Sequence, residues 1–189
     1  VMYFAAQIAV TIFFVLLILL IPIIVIVSFL GIIITLLSGF AAAVDNTDYA
    51  SGSGASIVAV AVQEIGYHEG AGNHTKYGVY TGTDGMSWCH AFVSWCANEC
   101  GFIESNIIPK TAACETGRQW FIHKQQYQKA GSYTPQAGDI IYFDRGGVGE
   151  SHHVGIVEYV ENGIVHTIEG NKNNQVMRGH YELTYKGIM

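Results

Sequence analysis

The sequence predicts an α+β domain, helices first and an antiparallel sheet after them, behind one apolar helix long enough to cross a membrane. Three observations predict it. The first 44 of the 189 residues, Val1 to Val44, carry no charge, so all 9 Lys+Arg and all 15 Asp+Glu fall in the remaining 189 − 44 = 145. Within that remainder apolar residues first recur at helical spacing, then crowd into short β-branched and aromatic runs. Helices that precede the strands, rather than alternate with them, indicate antiparallel pairing.

From Ile8 to Leu37 the chain is almost entirely Ile, Leu, Val and Phe, longer than the roughly 20 residues a helix needs to cross the hydrocarbon core. We read a single transmembrane helix, with Pro22 as a site for a kink. A cleaved signal peptide, using Ala41-Ala42-Ala43 as its small-residue site, is the rival. The stretch exceeds the usual apolar region of about 7 to 15 residues, and no basic segment precedes it. The Lys/Arg bias does not give the orientation, because the first basic residue is Lys76, too far from the span to count. Asp45 to Ala55 is polar and glycine-bearing, as a flexible tether is. The expected organisation is therefore a span over 1–44, a linker over 45–55 and a globular domain over 56–189.

The net charge, 9 − 15 = −6, comes with no run of Lys or Arg, which speaks against nucleic-acid binding and against an electrostatic membrane patch. Aromatic and β-branched residues at normal density speak against disorder.

In the domain, Ser56 to Ile65 reads as a helix with Ser56 as N-cap and Gly66 as its stop. Gly70 to Gly85 has no apolar period and reads as irregular structure held by Tyr77, Val79 and Tyr80. Trp88 to Cys100 places apolar side chains at 89, 92, 93 and 96, the spacing of a helix face, and Gly101 stops it. A second helix is expected over Cys114 to Gln128. Asp139–Phe143, His153–Val160 and Ile164–Glu169 have strand composition.

One constellation in this order carries chemistry. A cysteine that begins a helix is biased toward thiolate by the helix's positive end and free N–H groups, and Cys89 holds that position. A thiolate nucleophile needs a base within reach and a group to orient the base. His153, followed by Glu169 and Asn171, supplies both. Their meeting depends on hairpin register. A two-residue turn at Asn162-Gly163 would pair 153 with 172 and turn Glu169 and Asn171 away. A three-residue turn, Glu161-Asn162-Gly163, would pair 160 with 164 and 153 with 171, so that His153, Asn171 and, diagonally, Glu169 share a face. The three-residue turn is the expectation.

Cys96, Cys100 and Cys114 read as core or loop residues. No C-x-x-C pair supports a zinc site, while an oxidising exterior would favour a Cys100–Cys114 disulfide. The glycines between Gly70 and Gly85 lack the spacing of a phosphate-cradling loop. No cofactor or metal is expected. Trp88, beside the nucleophile, is a candidate cleft wall, and His74 and His90 are candidate substrate contacts.

The stretches TKYG (75–78), SWCHAFVSWC (87–96), PQAGDIIYF (135–143), HHVGIVEYV (152–160) and TIEGN (167–171) occur in the order found in CHAP domains, the cysteine, histidine-dependent amidohydrolase/peptidase modules of bacterial cell-wall hydrolases, and the chain resembles that family over about residues 56 to 185. The resemblance implies a papain-like fold and hydrolysis of amide bonds in peptidoglycan. It assigns Cys89 as nucleophile, His153 as general base, and Glu169 and Asn171 as the groups that orient and polarise it. Tyr77 would offer a second oxyanion donor. His90 stands where the family usually has Ala, and the aspartate-rich calcium loop of some members has no counterpart ahead of Cys89. The span and the stretch IPKTAACETGRQWF (108–121) look most like membrane-anchored hydrolases of Gram-positive conjugative elements. That likeness implies a single-pass membrane protein with its catalytic domain outside, acting near a conjugation or secretion complex. The alternative is a catalytically dead module that binds wall peptides or a partner in the same groove.

Overall fold

The computed structural model describes residues 54–189. The expected span and most of the tether lie outside the described residues, and no helix among the described residues is long and apolar enough to cross a membrane. Four helices, α1 (Gly54–Gln63), α2 (Lys76–Thr81), α3 (Cys89–Glu99) and α4 (Cys114–His123), precede four strands, β1 (Ile140–Phe143), β2 (His153–Glu161), β3 (Ile164–Lys172) and β4 (Gln175–Glu182). The strands form one antiparallel sheet in the order β1-β2-β3-β4. The α+β expectation of helices followed by an antiparallel sheet holds for this domain.

Strand alternation divides the sheet's apolar residues between two clusters. Val154, Ile156 and Ile168 join Ile57, Ala61, Phe92, Val93 and Cys96 of α1 and α3 in the main core. Ile141, Phe143, Val157 and Val165 form a smaller cluster, with Tyr181, Leu183 and Ile188 packed against it. α3 is buried along most of its length, which is why its sequence shows a broad apolar face.

The hairpin departs from the expected turn. Glu161 pairs with Ile164, so Asn162-Gly163 is a two-residue turn, and both of its residues have positive φ, 51° and 78°, the left-handed pair of a type I′ turn. The register expected at the site nevertheless forms. A bulge at Glu158 shifts the pairing by one, from Tyr159↔His166 to Val157↔Thr167 and Ile156↔Ile168. Carried toward the start of β2, this register sets Gly155 opposite Glu169, where a side chain on Gly155 would meet Glu169 Cγ at 2.9 Å. The extra residue needed to bring His153 and Glu169 to one face thus lies inside the strand and not in the turn.

Two elements lie outside the expected set. β4 comes after a second tight turn, Asn173-Asn174, with φ of 52° and 61°. α2 sits within the stretch read as irregular. Thr75 caps it by accepting a hydrogen bond from the Gly78 N–H at 2.9 Å, and Gly82 closes it in the left-handed region. Its six residues with a central glycine are too few to show an apolar period.

α4 is packed tightly against both α3 and the first strand. At Gly117 of α4 a Cβ would lie 2.0 Å from His90 Nε2 and 2.7 Å from the Tyr142 hydroxyl, so only glycine lets α4 approach α3 and β1 this closely. Gly117→Ala is expected to lose about 1–3 kcal/mol as the packing is forced apart. The expected result is a lower midpoint in urea unfolding with an unchanged slope.

Candidate active site

Cys89 is the first residue of α3. Its preceding residue, Trp88, caps the helix without a side-chain hydrogen bond, so the helix's first N–H groups and dipole are left facing the sulfur's surroundings. The Cys89 thiol is held down at about 4. The largest cause is a hydrogen bond from Cys114, whose Sγ lies 3.3 Å away; burial opposes it, and the His153 ring adds a hydrogen bond and positive charge. One proton serves the two sulfurs. Cys114 keeps it, its own thiol being pushed well up by the neighbouring thiolate and by burial.

His153 begins β2 and is 4% exposed. Burial works against a charged ring, but interactions with Cys89 and Glu169 outweigh it and raise the imidazole above its ordinary value of 6.5. His153 Nε2 donates to Glu169 Oε2 at 2.7 Å, which leaves Nδ1 as the nitrogen for the thiolate side. Cys89 and His153 thus each favour the charged form of the other, thiolate and imidazolium.

Glu169 is fully buried, and a buried carboxylate is costly unless its lone pairs are filled. Oε1 accepts from Thr167 Oγ1 at 2.6 Å, Tyr181 OH at 2.9 Å and Lys172 Nζ at 3.0 Å. Arg145 Nη2 stands 3.7 Å from Oε2. Burial alone would raise this carboxyl, yet the hydrogen bonds from His153 and Thr167 and the charges of His153 and Lys172 bring it down to about 2. Gly179 of β4 makes room for the network, since a Cβ there would lie 1.9 Å from Glu169 Oε1. Sequence reasoning misses Thr167, Lys172, Tyr181, Arg145 and Gly179. A buried Glu demands partners, but which side chains supply them depends on the register of β3 and on β4, whose composition does not announce a strand.

Cys89, His153 and Glu169 therefore come together, whereas the other expected site residues do not join them in the expected way. Asn171 donates through Nδ2 to Ser87 Oγ at 3.2 Å. The β3–β4 register shifts after Glu169, and Asn171 has φ of 55°. Its amide is thereby tied to the segment ahead of Cys89, and among the described hydrogen bonds none joins it to the His153 ring.

Tyr77 is fully buried and donates to Glu64 Oε2 at 2.5 Å, so its hydroxyl faces α1's end and not an oxyanion. Trp88 is also fully buried. It stacks on Tyr77 with centroids 5.4 Å apart and donates Nε1–H to Glu69 at 2.6 Å, so it is core and not cleft wall.

His90 points inward as well. Its Nδ1 lies 3.0 Å from the Thr111 carbonyl, which can only accept, so Nδ1 carries the proton and Nε2 accepts from Tyr142 OH at 3.0 Å. Burial lowers its pKa and keeps the ring neutral. His90 is a strut between α3, the 109–111 loop and β1, not a substrate contact.

His74 is exposed and paired with Asp84 at 2.7 Å. The Cys100–Cys114 disulfide is absent: all four cysteines are free, and Cys114 faces Cys89. A 560 Å³ concavity lined by Phe102, Phe121, Tyr127, Tyr133 and Met189 includes none of Cys89, His153 or Glu169.

Because Glu169 has a native pKa of about 2 against an ordinary 4.5, its stabilising effect is fully present above 4.5. It is lost as the pH falls through 4.5 toward 2, and is worth about 3 kcal/mol. Urea unfolding followed from pH 6 to pH 2 is expected to show a shallower acid decline for Glu169→Gln than for the wild type. Identical declines would mean that the carboxylate is not held as described.

The CHAP domain family matches residues 81–171, a segment that contains Cys89, His153, Glu169 and Asn171. The crystal structure of Ly7917 is similar at 15% identity with a TM-score of 0.49, over 72% of this chain and 60% of that one. The crystal structure of Ly7917 with the hydrolyzing product of MDP is similar at 17% identity with a TM-score of 0.45, over 69% of this chain and 57% of that one. The chain therefore spans about three-fifths of the length of these solved structures. No curated protein matches the chain. The segment that matches the CHAP domain family, residues 81–171, is the one that holds the thiol, the imidazole and the carboxylate, and over that segment the chain is similar to CHAP domains.

Proposed function

We propose that the chain is a peptidoglycan hydrolase that cleaves amide bonds of the wall peptide by a Cys-His thiol mechanism. The observation that carries this reading is the Cys89–His153–Glu169 line, a depressed thiol at a helix N-terminus facing an imidazole anchored on a buried carboxylate. The Cys89 thiolate attacks the amide carbonyl, and the Cys89 backbone N–H, free at the start of the helix, helps hold the oxyanion. The His153 imidazolium protonates the leaving amine. The neutral ring then takes a proton from water, which releases the acyl group from Cys89. Glu169 keeps Nε2 protonated and Nδ1 aimed at the sulfur throughout. Asn171 fixes Ser87 in the segment that leads into α3.

The amide is either the N-acetylmuramoyl-L-alanine bond or a peptide bond of the stem or cross-bridge. The apolar stretch at Ile8–Leu37 would anchor the chain in the cell membrane with the domain outside. A tethered hydrolase reaches only nearby wall, which suits local opening for a conjugation or secretion complex better than lysis.

Purified peptidoglycan incubated with the full chain, with fragments identified by mass spectrometry, tests the activity and names the bond. The wild type is expected to release peptides and Cys89→Ala to lose at least about a thousandfold in rate. Wall binding without cleavage by the wild type would replace the enzyme with a binding module. The pH dependence derives from the ion pair. Thiolate forms as the pH rises through about 4, and the imidazolium is lost above its raised pKa. The profile of kcat/KM is expected to be a bell with its acid limb near 4 and its alkaline limb above 6.5.

A further inference from the structure

Cys114 has no role in the hydrolytic steps, yet its Sγ lies 3.3 Å from that of Cys89. The two residues are 25 apart in sequence and each is the first residue of its helix, α3 and α4, so two helix N-termini converge on one pair of sulfurs. Both residues keep a small accessible surface, 4% for Cys89 and 8% for Cys114. The positive charges of His153 and Arg145 act on this pair. The remaining cysteines have different surroundings. Cys96 is fully buried in the main core and Cys100 caps the far end of α3. Closing the pair to a bonded distance of about 2.0 Å requires the sulfurs to approach by only roughly 1.3 Å.

We propose that Cys89 and Cys114 form a site of reversible oxidation, at which a low-molecular-weight disulfide converts the two thiols to a Cys89–Cys114 disulfide and thereby withdraws the nucleophile from hydrolysis. As a control of hydrolysis, this rests on the reading of Cys89 as the nucleophile. In the first step the Cys89 thiolate attacks one sulfur of the incoming disulfide. A mixed disulfide forms, the incoming S–S bond breaks and one thiolate leaves. Cys114 then gives up its proton to that departing thiolate and attacks Cys89 Sγ. The Cys89–Cys114 bond forms, and the second thiolate is expelled and takes its proton from the His153 imidazolium. Two protein thiols are oxidised and one small disulfide is reduced to two thiols. The order of events is set by where the proton sits: Cys114 stays protonated while Cys89 is charged, and is freed to react once that charge is gone. An excess of small thiol reverses both steps.

The test uses the full chain, reduced and then freed of reductant, titrated with oxidised glutathione. Trypsin, cutting after Lys110 and Arg118, and chymotrypsin, cutting after Trp95, put Cys89, Cys96 with Cys100, and Cys114 on three separate peptides. The expected result is a cross-linked Cys89–Cys114 peptide that grows as peptide release from peptidoglycan falls to background. Dithiothreitol is expected to reverse both, and Cys114→Ser to stop at a glutathione adduct on Cys89. A glutathione adduct that persists on Cys89 in the wild type, or a cross-link to Cys96 or Cys100, overturns the proposal. The cross-link is read by mass and needs no hydrolysis. A reduced chain that cleaves no peptidoglycan but forms the Cys89–Cys114 cross-link overturns the hydrolase reading and leaves the oxidation site standing. A chain that cleaves and forms no cross-link does the reverse.

Discussion

The rest of the domain is arranged around one buried charge. Glu169 has no exposed surface, and its two oxygens are satisfied from three strands and a loop: His153 from β2, Thr167 and Lys172 from β3, Tyr181 from β4, with Arg145 nearby. Removing any of these partners would leave part of an ion's desolvation cost uncompensated, and such costs reach several kcal/mol in protein interiors. Slipping β2 or β4 by one residue would turn its side chains to the other face and take the partners with it. The bulge at Glu158, the absence of a side chain at Gly155 and Gly179, and the tight Asn173-Asn174 turn all serve to keep this register. The geometry of the Cys89–His153–Glu169 line and the specificity of the fold therefore depend on the same set of contacts.

The line of Cys89, His153 and Glu169 was legible in the sequence because each is marked by a local rule: a cysteine at a helix start, a histidine opening a strand, a carboxylate at matching parity on the next strand. The register that joins them was legible only in its result. Reasoning from the turn places the extra residue at Glu161, whereas Asn162-Gly163 is a strong two-residue turn and the shift occurs at Glu158. A bulge within a strand leaves no mark on apolar alternation, and Glu158 is an ordinary polar residue paired with Arg178. β4 escapes notice for a related reason. Only Val176 and Gly179 are buried along it, and Arg178, His180 and Glu182 face outward, so its composition is that of a loop.

Tyr77, Trp88 and His90 fail as substrate contacts for a shared physical reason. Each carries one polar edge on a large apolar body, and sequence proximity to Cys89 suggests that this edge faces the cleft. In the fold the polar edges meet internal partners, Glu64, Glu69 and, for His90, Thr111 and Tyr142, and the body fills core space. Burying an amphipathic side chain requires only one such partner. A helix whose apolar face is wide enough to be enclosed, as α3 is, turns adjacent aromatics inward even when the first residue beside them is reactive.

The Cys89–Cys114 contact goes beyond what hydrolysis alone requires of a thiol. The His153 imidazolium and the helix N-terminus already favour the thiolate; the largest single effect that brings Cys89 to about 4 is the hydrogen bond from Cys114. The second sulfur adds to the same thiolate-favouring effect. It does supply what the imidazole and helix cannot, a partner able to form a reversible covalent bond with Cys89.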